Sequence, residues 1–259
     1  MAINILNEKD MKVKLIGVTP RESFVDIAAT FTRSEGTLED IIQMPYNAKL
    51  VKNVVNMGHL ACTEFDYFIF AVEGLSRVTE VQLVRKRLAS YLLKSGRVEK
   101  GGKRNLDVVI PDTIKDHKAN VSVHGYQLTL DHKDILNIIN TYYNQGIDKG
   151  LPEEDLRYLK PQGTEFKGLI AMNAHALLDW FKIRCCKNAQ HEIRGLAQQM
   201  LKLAKEHSPE LFENAGPSCV SLGYCPEGKF QHKDCKGKVL TKEQALKILK
   251  EYKDNNSIK

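Results

Sequence analysis

The chain has 259 residues, 42% of them hydrophobic and 27% charged, with a formal net charge of +6. That length can bury one large core, the balance is that of an ordinary soluble protein, and no apolar run approaches membrane-spanning length. The modest positive charge, spread along the chain, suits an anionic small molecule such as a nucleotide; it does not call for nucleic acid or a membrane surface. The first ten residues lack the basic region and apolar core of a secretory signal, so a cytoplasmic location is expected.

In chain order, residues 12–18 are rich in branched side chains and partly alternate, which predicts a strand. Thr37-Leu-Glu-Asp40 opens a helix with a capping box, and a second helix over 48–57 is closed by Gly58. The aromatic run 65–72 reads as a buried strand, and a long helix is predicted over 75–91. Short strands or extended segments are expected at 105–111 and 119–123. Asp131 caps an amphipathic helix to about residue 145, with Ile135, Leu136, Ile138, Ile139 and Tyr142 on its apolar face. An acidic run, Glu153-Glu154-Asp155, leads to Arg157. Helices are predicted over 169–183 and 189–204, ending before Pro209 and Pro217. Thr241 with Gln244 opens a last helix to about residue 252, and the final residues are expected to fray. The sum is α+β, with more helix than strand.

Six cysteines are expected to be reduced in such a compartment. Cys219, Cys225, His232 and Cys235 give a Cys-x5-Cys-x6-His-x2-Cys spacing, looser than that of structural zinc sites. Free thiols are favoured and no metal is assigned. Cys185 and Cys186 read as packing residues.

Residues 75–97 concentrate cations with a glutamine and three serines. Gln82 and Arg85, three apart, would share a helix face. Ser95-Gly96-Arg97 is a small-residue turn with one fixed cation, suited to cradling a phosphate. Composition alone would favour a solvated basic helix and an ordinary turn. Order and spacing favour a ligand. The stretch from Arg85 through Arg87, Ser90 and Ser95 to Arg97 resembles the RHRxxSxNExSxRY signature of the flavin-dependent thymidylate synthases (ThyX), preceded by a QLV-type segment at Gln82.

The resemblance continues along the chain. Gly58-His59 with Glu64 is similar to GHxSxxEH, although Phe65 stands where the second His is usual. Leu151-Pro-Glu-Glu-Asp155-Leu-Arg157 is similar to PxEDAR. Asn173, Arg184 and the run Asn188-Ala-Gln190-His-Glu192-Ile-Arg194 resemble the family's N-x-R, LR and AQWEIR elements, and 212–219 resembles an ending found in some members. The departures are Lys86 for His, Leu92-Leu93 for Asn-Glu, Val98 for Tyr, His175 where Arg is common, and Ala28-Ala29-Thr30-Phe31-Thr32 for AARxCY.

The resemblance implies a ThyX-like fold, helices packed on a mainly antiparallel sheet. A catalytic region over 1–215 and a Cys-containing loop with a C-terminal helix over 216–259 would form one domain. It implies a homotetramer with FAD, converting dUMP to dTMP with methylenetetrahydrofolate and NADPH as co-substrates. His59, Arg85, Lys86, Arg87, Asn173, His175, Asp179 and Asn188 would line the flavin. Gln82, Ser95, Gly96, Arg97 and Arg157 would hold the nucleotide. Arg184 would face the pyrimidine ring and stabilise its anion, the role nearest to catalysis. No Ser/His/Asp or Cys/His constellation competes with this reading. By themselves, His59 could be a capping histidine and Arg157 a partner of Asp155 or Glu153; Arg184, in an apolar helix, needs a partner, and a ligand suits it. Two classes stay open: an enzyme, either this synthase or a diverged relative acting on another pyrimidine nucleotide such as UMP, and a nucleotide- or flavin-binding protein without the methyl-transfer chemistry; the Leu92-Leu93 pair favours the diverged reading. Joint retention of Gln82, Arg87, Ser95, Arg97, Arg157 and Arg184 favours the enzyme.

Overall fold

The computed structural model describes residues 3–19, 24–95 and 105–256. Along the first half run β1 (Ile3–Leu6), β2 (Lys12–Val18), α1 (Val25–Phe31), α2 (Leu38–Ile42), α3 (Ala48–Asn56), β3 (Tyr67–Ser76), α4 (Arg77–Leu83) and β4 (Ser90–Leu93). Then come β5 (Leu106–Val109), β6 (Lys118–Val123), β7 (Tyr126–Asp131), α5 (His132–Asp148), α6 (Glu153–Leu156) and β8 (Glu165–Asn173). The rest is helical: α7 (Ala174–Arg184), α8 (His191–His207), α9 (Pro209–Phe212), α10 (Ser218–Leu222) and α11 (Lys242–Asn256). The expected α+β class is what the chain adopts.

The main sheet has strand order β2-β3-β8-β4. Its register is antiparallel at each step. Thr19 N–H donates to the Tyr67 carbonyl at 3.0 Å while Lys12 pairs with Glu73 at 2.8 Å. Ala174 N–H donates to Asp66 at 2.8 Å and Arg77 N–H to Thr164 at 3.0 Å. Lys94 N–H donates to Lys167 at 2.8 Å, beside the contact of Gly168 with Leu93. A parallel pair, β1 with β5, and an antiparallel hairpin, β6 with β7, complete the strands. The hairpin turns at His124 and Gly125, both at positive φ.

Contacts divide the chain into two compact units. The first is Met1–Lys12, Ala71–Arg85 and Tyr91–Leu169; the second is Val13–Phe70, Lys86–Ser90 and Ile170–Lys259. In the first, Leu106, Val108, Ile110 and Leu136 pack with Ile3 and Ile5. In the second, α8 buries Ile193, Leu196, Ala197, Met200 and Ala204. There Phe212 meets Phe68 edge-on at 5.2 Å between ring centroids and Phe181 at 6.1 Å.

Local signals account for many boundaries. Capping boxes start α2 at Thr37 and α5 at Asp131, and Gly58 follows α3 at φ 80°. Thr241 and Gln244 exchange bonds of 2.8 and 3.2 Å at the start of α11. That helix stays wound to Asn256, so fraying does not begin at 253.

The long helix expected over 75–91 is not formed. β3 extends through Ser76, α4 occupies only Arg77–Leu83, and β4 follows a turn. Pairing with β8 pulls 90–93 into the sheet, and Tyr91 Oη donates back to the Leu83 carbonyl at 2.8 Å, closing the turn. Arg85 therefore does not share a helix face with Gln82. The helix expected from 169 likewise begins only at Ala174; residues 165–173 are β8. β1, α1 and β7 were not anticipated.

Gly74 sits in β3 at φ 77°, where an added Cβ would lie 2.8 Å from the Asp10 carbonyl oxygen. Its N–H donates to Glu165 Oε1 at 3.0 Å. Gly74→Ala is therefore expected to cost about 1–3 kcal/mol through left-handed backbone strain. Denaturant unfolding measures this, and an unchanged midpoint would show that the backbone relaxes freely.

Candidate functional site

The first unit holds a cleft of about 680 Å³ between α4, the end of β4 and the segment after α6. Arg77 opens α4 because Ser76 caps it. Its guanidinium pairs with Glu80 one turn on, donates to the Lys94 carbonyl at 3.0 Å, and lies 5.8 Å from the Phe166 ring centroid. Arg157 caps the C-terminus of α6, and its Nε donates to the Glu154 carbonyl at 3.2 Å. The acidic run thus holds Arg157 through the backbone; among the described residues it makes no ion pair with Glu153 or Asp155. Lys160 sits over the Tyr143 ring at 4.5 Å. Four cations (Arg77, Lys94, Arg157, Lys160) face two carboxylates, Glu80 and Glu165, across this cleft. The surplus is positive, and an anion with several acceptor oxygens would satisfy it.

Of the residues assigned to the nucleotide, Ser95 and Arg157 line this cleft together. Gln82 lies half-buried on α4 but does not line it. Gly96 and Arg97 lie outside the described residues, as does Val98. Arg77 and Lys160 were missed by the sequence reading. The available signal for Arg77 was its place in the same basic stretch, directly after a capping serine.

The second unit holds a cleft of about 460 Å³ lined by His59 and His175 with Ala28, Ala29, Arg33 and Cys62. His59 precedes a 3-10 turn, and its carbonyl accepts from the Cys62 thiol at 3.0 Å. Burial raises that thiol above its ordinary pKa, which disfavours its thiolate. His175, on the first turn of α7, has Nδ1 3.1 Å from Glu64 Oε1 and Nε2 3.9 Å from Asp179 Oδ2. Asp179 also meets Lys86 at 3.9 Å and Lys182 at 3.1 Å. Glu64, His175, Asp179 and Lys86 thus form one chain of polar contacts, with Glu64 and Lys86 at its ends. The sequence reading gave Glu64 no role, although its motif contained it.

The remaining assigned residues are spread. Arg85 and Arg87 are exposed in the turn after α4. Asn173 caps α7, its Oδ1 accepting from Ala176 N–H at 2.8 Å. Arg184 and Asn188 share a separate hollow of about 230 Å³ with Cys186, Cys219 and Cys225, where Asn188 donates to the Phe230 carbonyl at 3.0 Å.

The sequence family described as "Thymidylate synthase complementing protein" matches residues 14–210. A flavin-dependent thymidylate synthase of Geobacter sulfurreducens is 33% identical over 224 residues, covering 84% of this chain and 92% of the relative. One from Clostridium tetani is 36% identical over 231 residues, covering 84% and 91%. The chain belongs to the flavin-dependent thymidylate synthase family. Membership extends nearly end to end: the Pyrococcus horikoshii relative is 32% identical over 252 residues, covering 93% of this chain and all of that one. The fold agrees. A crystal structure of the UMP/dUMP methylase PolB from Streptomyces cacaoi, bound with 5-Br dUMP, superposes with a TM-score of 0.64 at 20% identity, covering 82% of this chain and 96% of that chain. A flavin is accordingly the family's cofactor.

Proposed function

We propose that this protein is a thymidylate synthase that converts dUMP to dTMP, with FAD as cofactor and methylenetetrahydrofolate and NADPH as co-substrates, working as a cytoplasmic homotetramer. The observation that carries the reading is the cationic cleft of the first unit. Ser95 and Arg157, far apart in sequence, meet there with Arg77 in a setting suited to a phosphate monoester.

The donor set also suits FAD. A dinucleotide pyrophosphate calls for clustered cations, which Arg85, Lys86 and Arg87 supply, and His59 and His175 add imidazole donors. When bound, the flavin supplies the redox equivalents of the methylation. The chain's own residues bind and orient. Ser95, Arg157 and Arg77 hold the nucleotide phosphate, and Arg184, in a hollow of the second unit, is the residue assigned to negative charge on the pyrimidine ring. Lys86 keeps a charge where the motif has an imidazole, and Asp179 steadies it.

Purified protein should be yellow, release tritium from dUMP labelled at ring carbon 5, and form dTMP. A colourless protein that cannot be loaded with FAD would defeat the proposal. Mass measurement in solution checks the tetramer.

One observation favours a second reading, action on UMP or another pyrimidine nucleotide: Leu93 lines the nucleotide cleft where the family motif has a carboxylate. Removing one polar partner shifts binding by about 1–3 kcal/mol. Leu92→Asn with Leu93→Glu is then expected to tighten dUMP binding roughly tenfold or more. Titration of both nucleotides against the double variant reads this out, and unchanged affinities would mark the leucines as packing changes.

A further inference from the structure

We propose that Cys219 and Cys225 form a dithiol site that a peroxide converts reversibly to a disulfide. The two cysteines line one hollow with Cys186, Lys182 and Arg184. All six cysteines are free in this structure. The chain reverses between the pair: Gly223, at φ 72°, donates its N–H to the Cys219 carbonyl at 3.1 Å and closes α10. Cys225, only 8% exposed, is pinned in place by its N–H bond to Leu240 at 2.8 Å and its bridge to Thr241. Ser218 Oγ, bonded to the Lys182 carbonyl at 3.4 Å, ties α10 to α7. The Gln231 amide, donating to Val239 at 2.9 Å, holds the following loop closed.

The electrostatics point the same way. Burial, and after it the neighbouring thiols of Cys225 and Cys186, raise the Cys219 pKa. A metal is a weaker occupant. Among the described residues no three His, Cys, Asp or Glu side chains gather into a group that could hold a metal ion. His232 Nδ1 instead accepts from Asp234 N–H at 3.2 Å.

The chemistry balances with hydrogen peroxide as oxidant. Burial holds the Cys219 thiol above its ordinary pKa, so it first loses its proton to solvent; the resulting thiolate attacks one peroxide oxygen, the O–O bond breaks, and the departing hydroxide takes up a proton, giving a sulfenic acid and one water. Cys225 then attacks that sulfur, the S–O bond breaks, and the second water leaves with the thiol proton. Two thiols have lost two electrons to the peroxide.

The test uses the full, reduced chain treated with hydrogen peroxide. Titratable thiols under denaturing conditions should fall from the six of the reduced chain to four, with an intact mass lower by two hydrogens. Peptide mapping should place the link between 219 and 225, and dithiothreitol should restore all the thiols. Cys219→Ser and Cys225→Ser should each abolish that linked peptide while circular dichroism stays native. Six remaining thiols, a link elsewhere, or a sulfinic acid as sole product would overturn the assignment. So would a purified protein whose thiols react only after a chelator has removed a bound metal.

Discussion

Arg184→Ala is expected to lower dUMP turnover by about a hundredfold or more, the scale of losing one positioned charge-stabilising donor. Flavin binding should be nearly unchanged. Arg184 is the last residue of α7, half-buried, at the end of a helix whose other face fills the core with Leu177, Trp180 and Phe181. The core fixes the helix, and the helix fixes the guanidinium. A cation at a helix C-terminus also sits favourably against the helix dipole, worth about 0.3–1 kcal/mol at an exposed site. Loss of the dipole contribution alone is too small to unfold the protein. Arg184→Lys should restore little, because an ammonium lacks the planar fork of donors. Steady-state turnover and flavin absorbance, measured on the same samples, separate the outcomes. Unchanged turnover, or loss of flavin in step with activity, would remove Arg184 from the catalytic role.

The largest effect on stability should come from Phe212→Ala, at about 3–5 kcal/mol. The ring is fully buried and makes edge contacts with Phe68 of β3 and Phe181 of α7. Removing it leaves a cavity bounded by two aromatic faces, and rigid rings collapse poorly into such a space. Typical native stabilities are about 5–15 kcal/mol, so this one change would consume a large share. Denaturant unfolding of both proteins reads it directly. Phe212→Leu should be much milder, and equal losses from the two variants would show that volume is not what Phe212 contributes.

The short-range signals in the sequence were reliable guides. The Thr37–Asp40 and Asp131–Asp134 boxes act within one turn and need nothing from the rest of the chain. The errors fell where long-range pairing decides. Residues 90–93 carry no strong strand pattern, yet the sheet recruits them because β8 offers an unpaired edge. β8 did carry a signal: Phe166, Ile170 and Met172 alternate to the buried side. The apolar helix that follows without a break obscured it. The site was legible in the same measure. Motif order gave Ser95 and Arg157, and His59 and His175, as members of common sets, and the fold brings each pair to one cleft. Arg77 and Glu64 escaped because their roles depend on which carbonyl or imidazole the folded chain presents to them.

Three strands lead into helices with no linker: β3 into α4 at Ser76, β7 into α5 at Asp131, and β8 into α7 at Asn173. In each case the last strand residue caps the helix. Such joints have no slack. One residue inserted between Asn173 and Ala174 would turn all of α7 by about 100°, from 3.6 residues per turn. Its apolar side would swing away from the core, and Arg184 would point elsewhere. The hairpin tip at His124 and Gly125 is the opposite case, with nothing within 4 Å of the position a Gly125 Cβ would take. A tag or fluorescent insert belongs there; at a strand-to-helix joint the same insert would dismantle the site without touching one of its residues.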